Sequence, residues 1–224
     1  MANKFPSVQI PNIIILGAVW GLAEASLGLG LQKCASLASG SIMTAMALFF
    51  IAATWTLTRR YIGLVIAVFL VSLMKMFDAF LLSLPLRHGA VANPIFAFWT
   101  EALAFLVIVL VLKETLVRKR SGQAVLGSLS ALAAINLFPL AKFATGIPAC
   151  VFPGTNYPLS LYYAPLAVGL SVLTVPLGFL VGEKIAVAQA KPAALGQTWA
   201  SRYIVTPAAL IVCLLLIAVI HWAG

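Results

Sequence analysis

The chain has 224 residues, of which 63% are hydrophobic and only 8% are charged, and its formal net charge is +9. This fraction of hydrophobic residues is larger than a soluble domain needs for its core. It predicts an all-α polytopic membrane protein. A basic soluble protein would suggest nucleic acid as a partner, but here the basic residues lie in short segments between apolar runs, so we exclude nucleic acid.

Seven apolar runs are long enough to cross the hydrocarbon core, which takes about 17–25 residues per helix. They lie near 12–31, 40–57, 61–84, 93–112, 123–145, 160–182 and 203–222. Six runs have short connections, and a longer polar link precedes the seventh. We therefore expect a six-span bundle over residues 1–184, a cytoplasmic linker over 185–202 and an additional transmembrane helix over 203–224. No convincing cleavage site follows the first run, so we expect it to be an uncleaved helix.

The basic residues are distributed unevenly between the two sides of the predicted topology. The N-terminus and the loops after spans two, four and six hold ten: Lys4, Arg59, Arg60, Lys113, Arg118, Lys119, Arg120, Lys184, Lys191 and Arg202. The other side holds Lys33 and Arg87. Because cytoplasmic loops carry an excess of Lys and Arg, we expect a cytoplasmic N-terminus, an external C-terminus and a location in a bacterial or archaeal plasma membrane.

The first span carries a carboxylate, Glu24, in its middle. An ionised side chain at bilayer depth costs about 2.5–3.5 kcal/mol even on lenient scales, so Glu24 is expected to face protein or water. Beside it, the small residues Gly17, Gly21 and Ala25 recur every fourth position and form one smooth helix face. Such a face permits close helix contact, either with a partner protein or within the bundle.

Other polar residues fall at related depths inside the predicted spans. A rise of about 1.5 Å per residue places Glu24 about 18 Å, Lys75 about 21 Å and Asp78 about 25 Å from the inner ends of their helices. These depths predict one polar pocket in the outer half, opening outward. The full predicted set is Trp20, Glu24, Lys75, Asp78, Trp99, Glu101, Asn136 and Lys142. Lys75 and Asp78 are three residues apart and can pair with each other, so a purely structural network and a proton or ion path remain alternatives.

The predicted outer side also carries an elaborate loop over residues 147–160, with three prolines and a Pro-Gly turn signal. Tyr157, Tyr162 and Tyr163 near it form either an interfacial aromatic belt or the mouth of a binding site. Cys34 and Cys150 fall on this side, where a disulfide is allowed in an oxidising compartment. The two histidines, His88 and His221, belong to no metal-ligand or nucleophile motif, so we expect no enzyme activity, no metal and no cofactor.

Short motifs in two spans resemble those of a known transporter family. They are Gly17, Trp20-Gly21, Glu24-Ala25 and Gly28 in the first span, and Asn93-Pro94, Ala97 and Glu101-Ala102 in the fourth. Over roughly the first six spans, the chain is similar to the substrate-binding S components of energy-coupling factor transporters. The resemblance implies a six-helix bundle that captures a vitamin or related small molecule from outside. It also implies two kinds of partner, a transmembrane scaffold that meets the small residues of the first helix and a pair of cytoplasmic ATPases.

The chain departs from that family in three ways. The seventh span is additional to the six-helix pattern. The N-terminal Met-His of the metal-transporting subgroup is absent, which disfavours nickel or cobalt as substrate. No Walker-type motif occurs, so ATP hydrolysis would come from partners. Two other functions fit the same residues: a structural or assembly subunit of a larger membrane complex, and a proton- or ion-coupled carrier.

Overall fold

The computed structural model describes residues 10–30, 37–148, 150–190 and 199–223, and within them the chain forms nine α-helices and no strand. They are α1 (Ile10–Gly30), α2 (Leu37–Thr58), α3 (Tyr61–Leu81), α4 (Gly89–Val111), α5 (Glu114–Val117), α6 (Arg120–Leu137), α7 (Ala141–Thr145), α8 (Leu159–Ala190) and α9 (Trp199–Ala223). Seven stretches of these helices are long and apolar enough to span a membrane. The predicted all-α, multi-pass architecture is thus confirmed at that level.

The fifth predicted span is not a single helix. The sequence predicts one span near 123–145, but α6 ends at Leu137, a 3₁₀ turn follows over Phe138–Leu140, and α7 is a separate short helix. Pro139 lies in that turn, and a proline removes the backbone donor that a continuing helix needs. A 3₁₀ turn and a short helix therefore precede the loop that leads to α8.

The sixth predicted span is longer than expected. Helix α8 continues past residue 182 to Ala190 and so includes Glu183 and Lys184 and the start of the predicted linker. Residues 191–198 of that linker lie outside the described residues. Small residues allow α8 to pack closely on α2, because a Cβ on Gly182 would meet the Ala53 carbonyl oxygen at 2.7 Å. The pair α2 and α8 forms the most extensive helix contact in the described bundle.

The helices run up and down, which gives the bundle two unlike ends. The basic end holds the loops at Arg59-Arg60 and at residues 112–119, and the C-terminal part of α8. At the opposite end, called the cavity end here, α1, α3, α6 and α9 finish and α2, α4 and α8 begin. The main apolar cluster lies toward the basic end and includes Ile51, Val68, Phe105, Leu126 and Phe179.

The small-residue face of α1 is occupied within the chain. A Cβ on Gly17 would meet Leu70 Cδ2 at 2.9 Å, and one on Gly21 would meet Met74 Cβ at 2.8 Å, so both glycines pack against α3. Ala25 is buried in a cluster with Met74 and Ile217, which places α9 on the same side. The residues that we predicted to meet a partner therefore make helix contacts inside the molecule, which is the alternative that the spacing left open.

Candidate ligand-binding cavity

A cavity of about 800 Å³ opens among the helices at the cavity end. Side chains from α1, α2, α3, α4, α6, α8 and α9 line it together with the loops before α4 and α8. Four of the predicted site residues are among them, namely Glu24, Lys75, Asp78 and Glu101. Each of these four is less than a tenth exposed, so the structure brings together charged groups that are buried from bulk solvent.

One ionic cluster joins α3 to α9. Lys75 Nζ donates a hydrogen bond of 2.8 Å to Asp78 Oδ2, as the spacing of three residues predicts. The other oxygen, Asp78 Oδ1, is in close contact with His221 Nε2. Both oxygens of Asp78 are therefore engaged, and Asp78 neutralises Lys75 locally.

The other two carboxylates are less well satisfied. Glu24 Oε2 and Glu101 Oε2 are buried and have no hydrogen-bond partner among the described residues. Glu101 accepts a hydrogen bond from the Thr44 side chain, and Lys75 attracts Glu24 while Asp78 repels it. Glu24 and Glu101 lie close enough to interact electrostatically. A buried carboxylate oxygen without a partner is costly, so these two atoms mark where a ligand group would gain most.

An aromatic layer closes part of the cavity. Phe98 lines the cavity and also belongs to the main apolar cluster. Behind it, Trp20 is fully buried, stacked on Phe50 at 6.0 Å between ring centroids and edge-on to Phe98 at 5.5 Å. Trp20 therefore supports the wall without lining the cavity itself. Toward the basic end the bundle is filled by apolar side chains.

The loops at the cavity end are ordered by backbone hydrogen bonds. In the loop before α8, Phe152 N donates to Tyr157 O at 3.0 Å and Leu159 N donates to Cys150 O at 2.8 Å. Gly154 has a positive φ of 78°, as its Pro-Gly turn signal suggests. On the other side, His88 caps α4 by accepting a hydrogen bond from Ala90 N at 3.2 Å, and it also lines the cavity.

The three tyrosines near that loop have different environments. Tyr163 is buried and lines the cavity, whereas Tyr157 and Tyr162 are exposed. Tyr162 stacks on Phe152 at 4.1 Å between centroids. The sequence left two roles open for these tyrosines, an interfacial aromatic belt and the mouth of a binding site. Tyr163 fits the second role, because it lines the cavity. The sequence allows a disulfide between Cys150 and Cys34 without deciding for it, and Cys34 lies outside the described residues.

Three predicted site residues lie away from the cavity. Trp99 is 41% exposed, because two residues along a helix turn the side chain about 200° from Glu101. Asn136 is exposed, and its amide donates to Leu132 O at 2.7 Å in its own helix. Lys142 is exposed beyond the break at Pro139, with its ammonium 4.8 Å from the Phe143 ring centroid. For these three residues the sequence allows an estimate of depth along the helix, but not of the side of the helix on which each side chain lies.

His221 is the cavity residue that the sequence argument missed. The sequence places it in no metal-ligand or nucleophile motif and the predicted pocket does not include it, yet its side chain is about 5% exposed and contacts Asp78. Its second ring nitrogen, Nδ1, is buried without a partner among the described residues. Its depth was a signal in the sequence that could have identified it. His221 lies near the outer end of the seventh predicted span, as Asp78 does in the third.

The described part of the chain holds no cluster of three or more His, Cys, Asp or Glu side chains that could bind a metal ion. The arrangement instead offers hydrogen-bond acceptors and an apolar wall, which is the usual composition of a small-molecule site. Comparisons with protein-family models, with curated proteins and with solved structures find no match to this chain.

Proposed function

We propose that the protein is a membrane-embedded capture subunit that takes up a vitamin or related small molecule from the outer side of a plasma membrane. The observation that supports this most directly is the pair of buried, unpartnered carboxylate oxygens of Glu24 and Glu101 beside one cavity of about 800 Å³. A structural network would satisfy its buried polar atoms internally, since leaving them unpaired destabilises the fold.

The closed basic end favours capture over conduction. Among the described residues the main apolar cluster lies between the cavity and that end, which favours a binding site over a continuous path through the bundle. A capture subunit of this kind needs partners to complete transport. The resemblance of the α1 and α4 motifs to energy-coupling factor S components supplies the expectation of a transmembrane scaffold and cytoplasmic ATPases, and membrane lipids surround the rest.

The test is whether the cavity retains a small molecule. Full-length protein purified in mild detergent is analysed by native mass spectrometry and by extraction of bound molecules. We expect the wild type to retain a small molecule and Ala97→Trp to lose it, because Ala97 lines the cavity and an indole there fills it. Leu103→Trp is the matched control on the same helix, since Leu103 is 54% exposed and lies outside the cavity.

Two results would contradict the proposal. If both tryptophan variants retain the molecule, it binds elsewhere, for example among lipid-facing helices. If the wild type retains none while remaining folded, the cavity does not act as a capture site, and the structural-subunit function gains support.

A further inference from the structure

The charged side chains around the cavity do not balance. Glu24, Asp78 and Glu101 contribute three carboxylates, and Lys75 is the single Lys or Arg in the described lining. Since Lys75 is bonded to Asp78, Glu24 and Glu101 have no Lys or Arg of their own in the described lining. Buried carboxyl groups without such a partner either stay protonated or are stabilised as carboxylates by a bound cation.

Four buried polar atoms without a partner among the described residues belong to side chains that line the cavity: Glu24 Oε2, Glu101 Oε2, Ser160 Oγ and His221 Nδ1. Glu24 Oε2 and Glu101 Oε2 are carboxylate oxygens, and an ionised carboxylate only accepts hydrogen bonds. His221 Nε2 contacts Asp78, and the other ring nitrogen, Nδ1, has no partner among the described residues. The two carboxylates, from α1 and α4, therefore favour a ligand with several N–H or O–H donors.

The size and apolar walls of the cavity argue against a bare inorganic ion. A volume of about 800 Å³ is in the range of sites for organic ligands. Phe98, Val91 and Ile135 line it with apolar surface that would bury a hydrocarbon or ring. The carboxylates of the lining, the hydrogen-bond donors that they need and the apolar walls together point to one chemical class of ligand.

We infer that the ligand is an organic cation whose N–H groups bind Glu24 and Glu101 and whose apolar body packs against Phe98. This inference rests on the proposed capture function and adds the substrate class to it. His221 acts as a specificity residue, because it lines the same cavity from α9 and its Nδ1 has no partner among the described residues. The seventh span therefore completes the binding site.

Benzamidine, benzamide and benzoate test the inference, because they share a phenyl ring and a planar substituent but are cationic, neutral and anionic. Binding of each to the full chain in detergent is measured by ligand-observed NMR titration at neutral pH. We expect benzamidine to bind at least about tenfold more tightly than benzamide, and benzoate to bind most weakly, as expected for a buried charge-assisted contact.

Variants then assign the preference to the two carboxylates. Glu24→Gln and Glu101→Gln keep side-chain volume and remove charge, so each is expected to reduce the benzamidine-to-benzamide ratio to within about threefold of unity. Glu183→Gln is the control, because Glu183 lies at the basic end and pairs with Arg120. Thermal unfolding shows whether each variant is folded. The comparison of the three probes on the wild-type protein remains valid even if one variant does not fold.

The outcomes separate this inference from the capture function. Benzamide or benzoate binding as tightly as benzamidine, with binding lost in Ala97→Trp, overturns the cation class and supports capture. If no probe binds but a co-purified molecule is lost in Ala97→Trp, the cation class again fails and capture holds. If neither a probe nor a co-purified molecule binds, both proposals fail.

Discussion

Asp78 connects two helices through a single carboxylate. Its two oxygens contact Lys75 on α3 and His221 on α9, and all three side chains are buried. Removing one partner of a buried ion pair leaves an uncompensated charge, whereas removing both leaves a neutral site. The cluster is therefore expected to matter more for stability than any ion pair at the surface.

We predict that Asp78→Asn lowers the free energy of unfolding by about 3–5 kcal/mol, because the buried Lys75 ammonium loses the carboxylate that is hydrogen-bonded to it. The double variant Asp78→Leu with Lys75→Met is expected to recover part of this loss. Thermal or denaturant unfolding in detergent measures both. Glu183→Gln is the control: its pair with Arg120 has side chains about half exposed, so the expected change is about 0–1 kcal/mol. Equal losses for Asp78→Asn and Glu183→Gln would show that the cluster is solvated.

At the scale of helices, the small residues of α1 determine how closely it approaches α3. Gly17 and Gly21 leave room for Leu70 and Met74, so that the two helices pack side by side and bring Glu24 and Lys75 to the same cavity. Packing of this kind is the main source of helix association in lipid, where apolar side chains gain little from leaving the solvent.

We predict that Gly21→Leu destabilises the isolated protein by about 1–3 kcal/mol, because the added side chain overlaps Met74. Met74→Ala in the same chain is expected to relieve the overlap and recover part of the stability. Gly169→Leu on α8 is the matched control, since nothing lies within 4 Å of a Cβ there. Unfolding of purified monomer is the measurement. Normal stability of Gly21→Leu, combined with loss of a co-purifying partner, would instead support the predicted partner interface.

The sequence predicts the existence of helices better than the faces they present. Apolar runs identify all seven long helices, and charge spacing correctly pairs Lys75 with Asp78. The faces of α4 and α6 depend on which neighbours they pack against, so Trp99 and Asn136 could not be placed by depth alone. The position of His221 depends on α9 docking beside α1 and α3, a contact far apart in sequence.

At the scale of the whole molecule, charge and cavity lie at opposite ends. Arg59, Arg60 and the loop of residues 112–119 occupy the basic end, and the cavity opens at the other. The positive-inside rule predicts that the basic end lies in the cytoplasm. With that orientation the proposed ligand would enter the cavity from outside, so the proposed direction of capture depends on the membrane topology.

We therefore predict that a cysteine at position 155 reacts with a membrane-impermeant thiol reagent added outside cells, whereas one at position 119 reacts only after permeabilisation. Thr155→Cys lies in the ordered loop at the cavity end, and Lys119→Cys lies beside the start of α6 at the basic end. Both are made in a background without the three native cysteines, which is itself the control for unspecific labelling. The physical reason is the excess of Lys and Arg at the basic end, which retains those loops in the cytoplasm during insertion. The reverse labelling pattern would open the cavity to the cytoplasm, and the protein would then bind a cytoplasmic molecule in the same site instead of capturing one from outside.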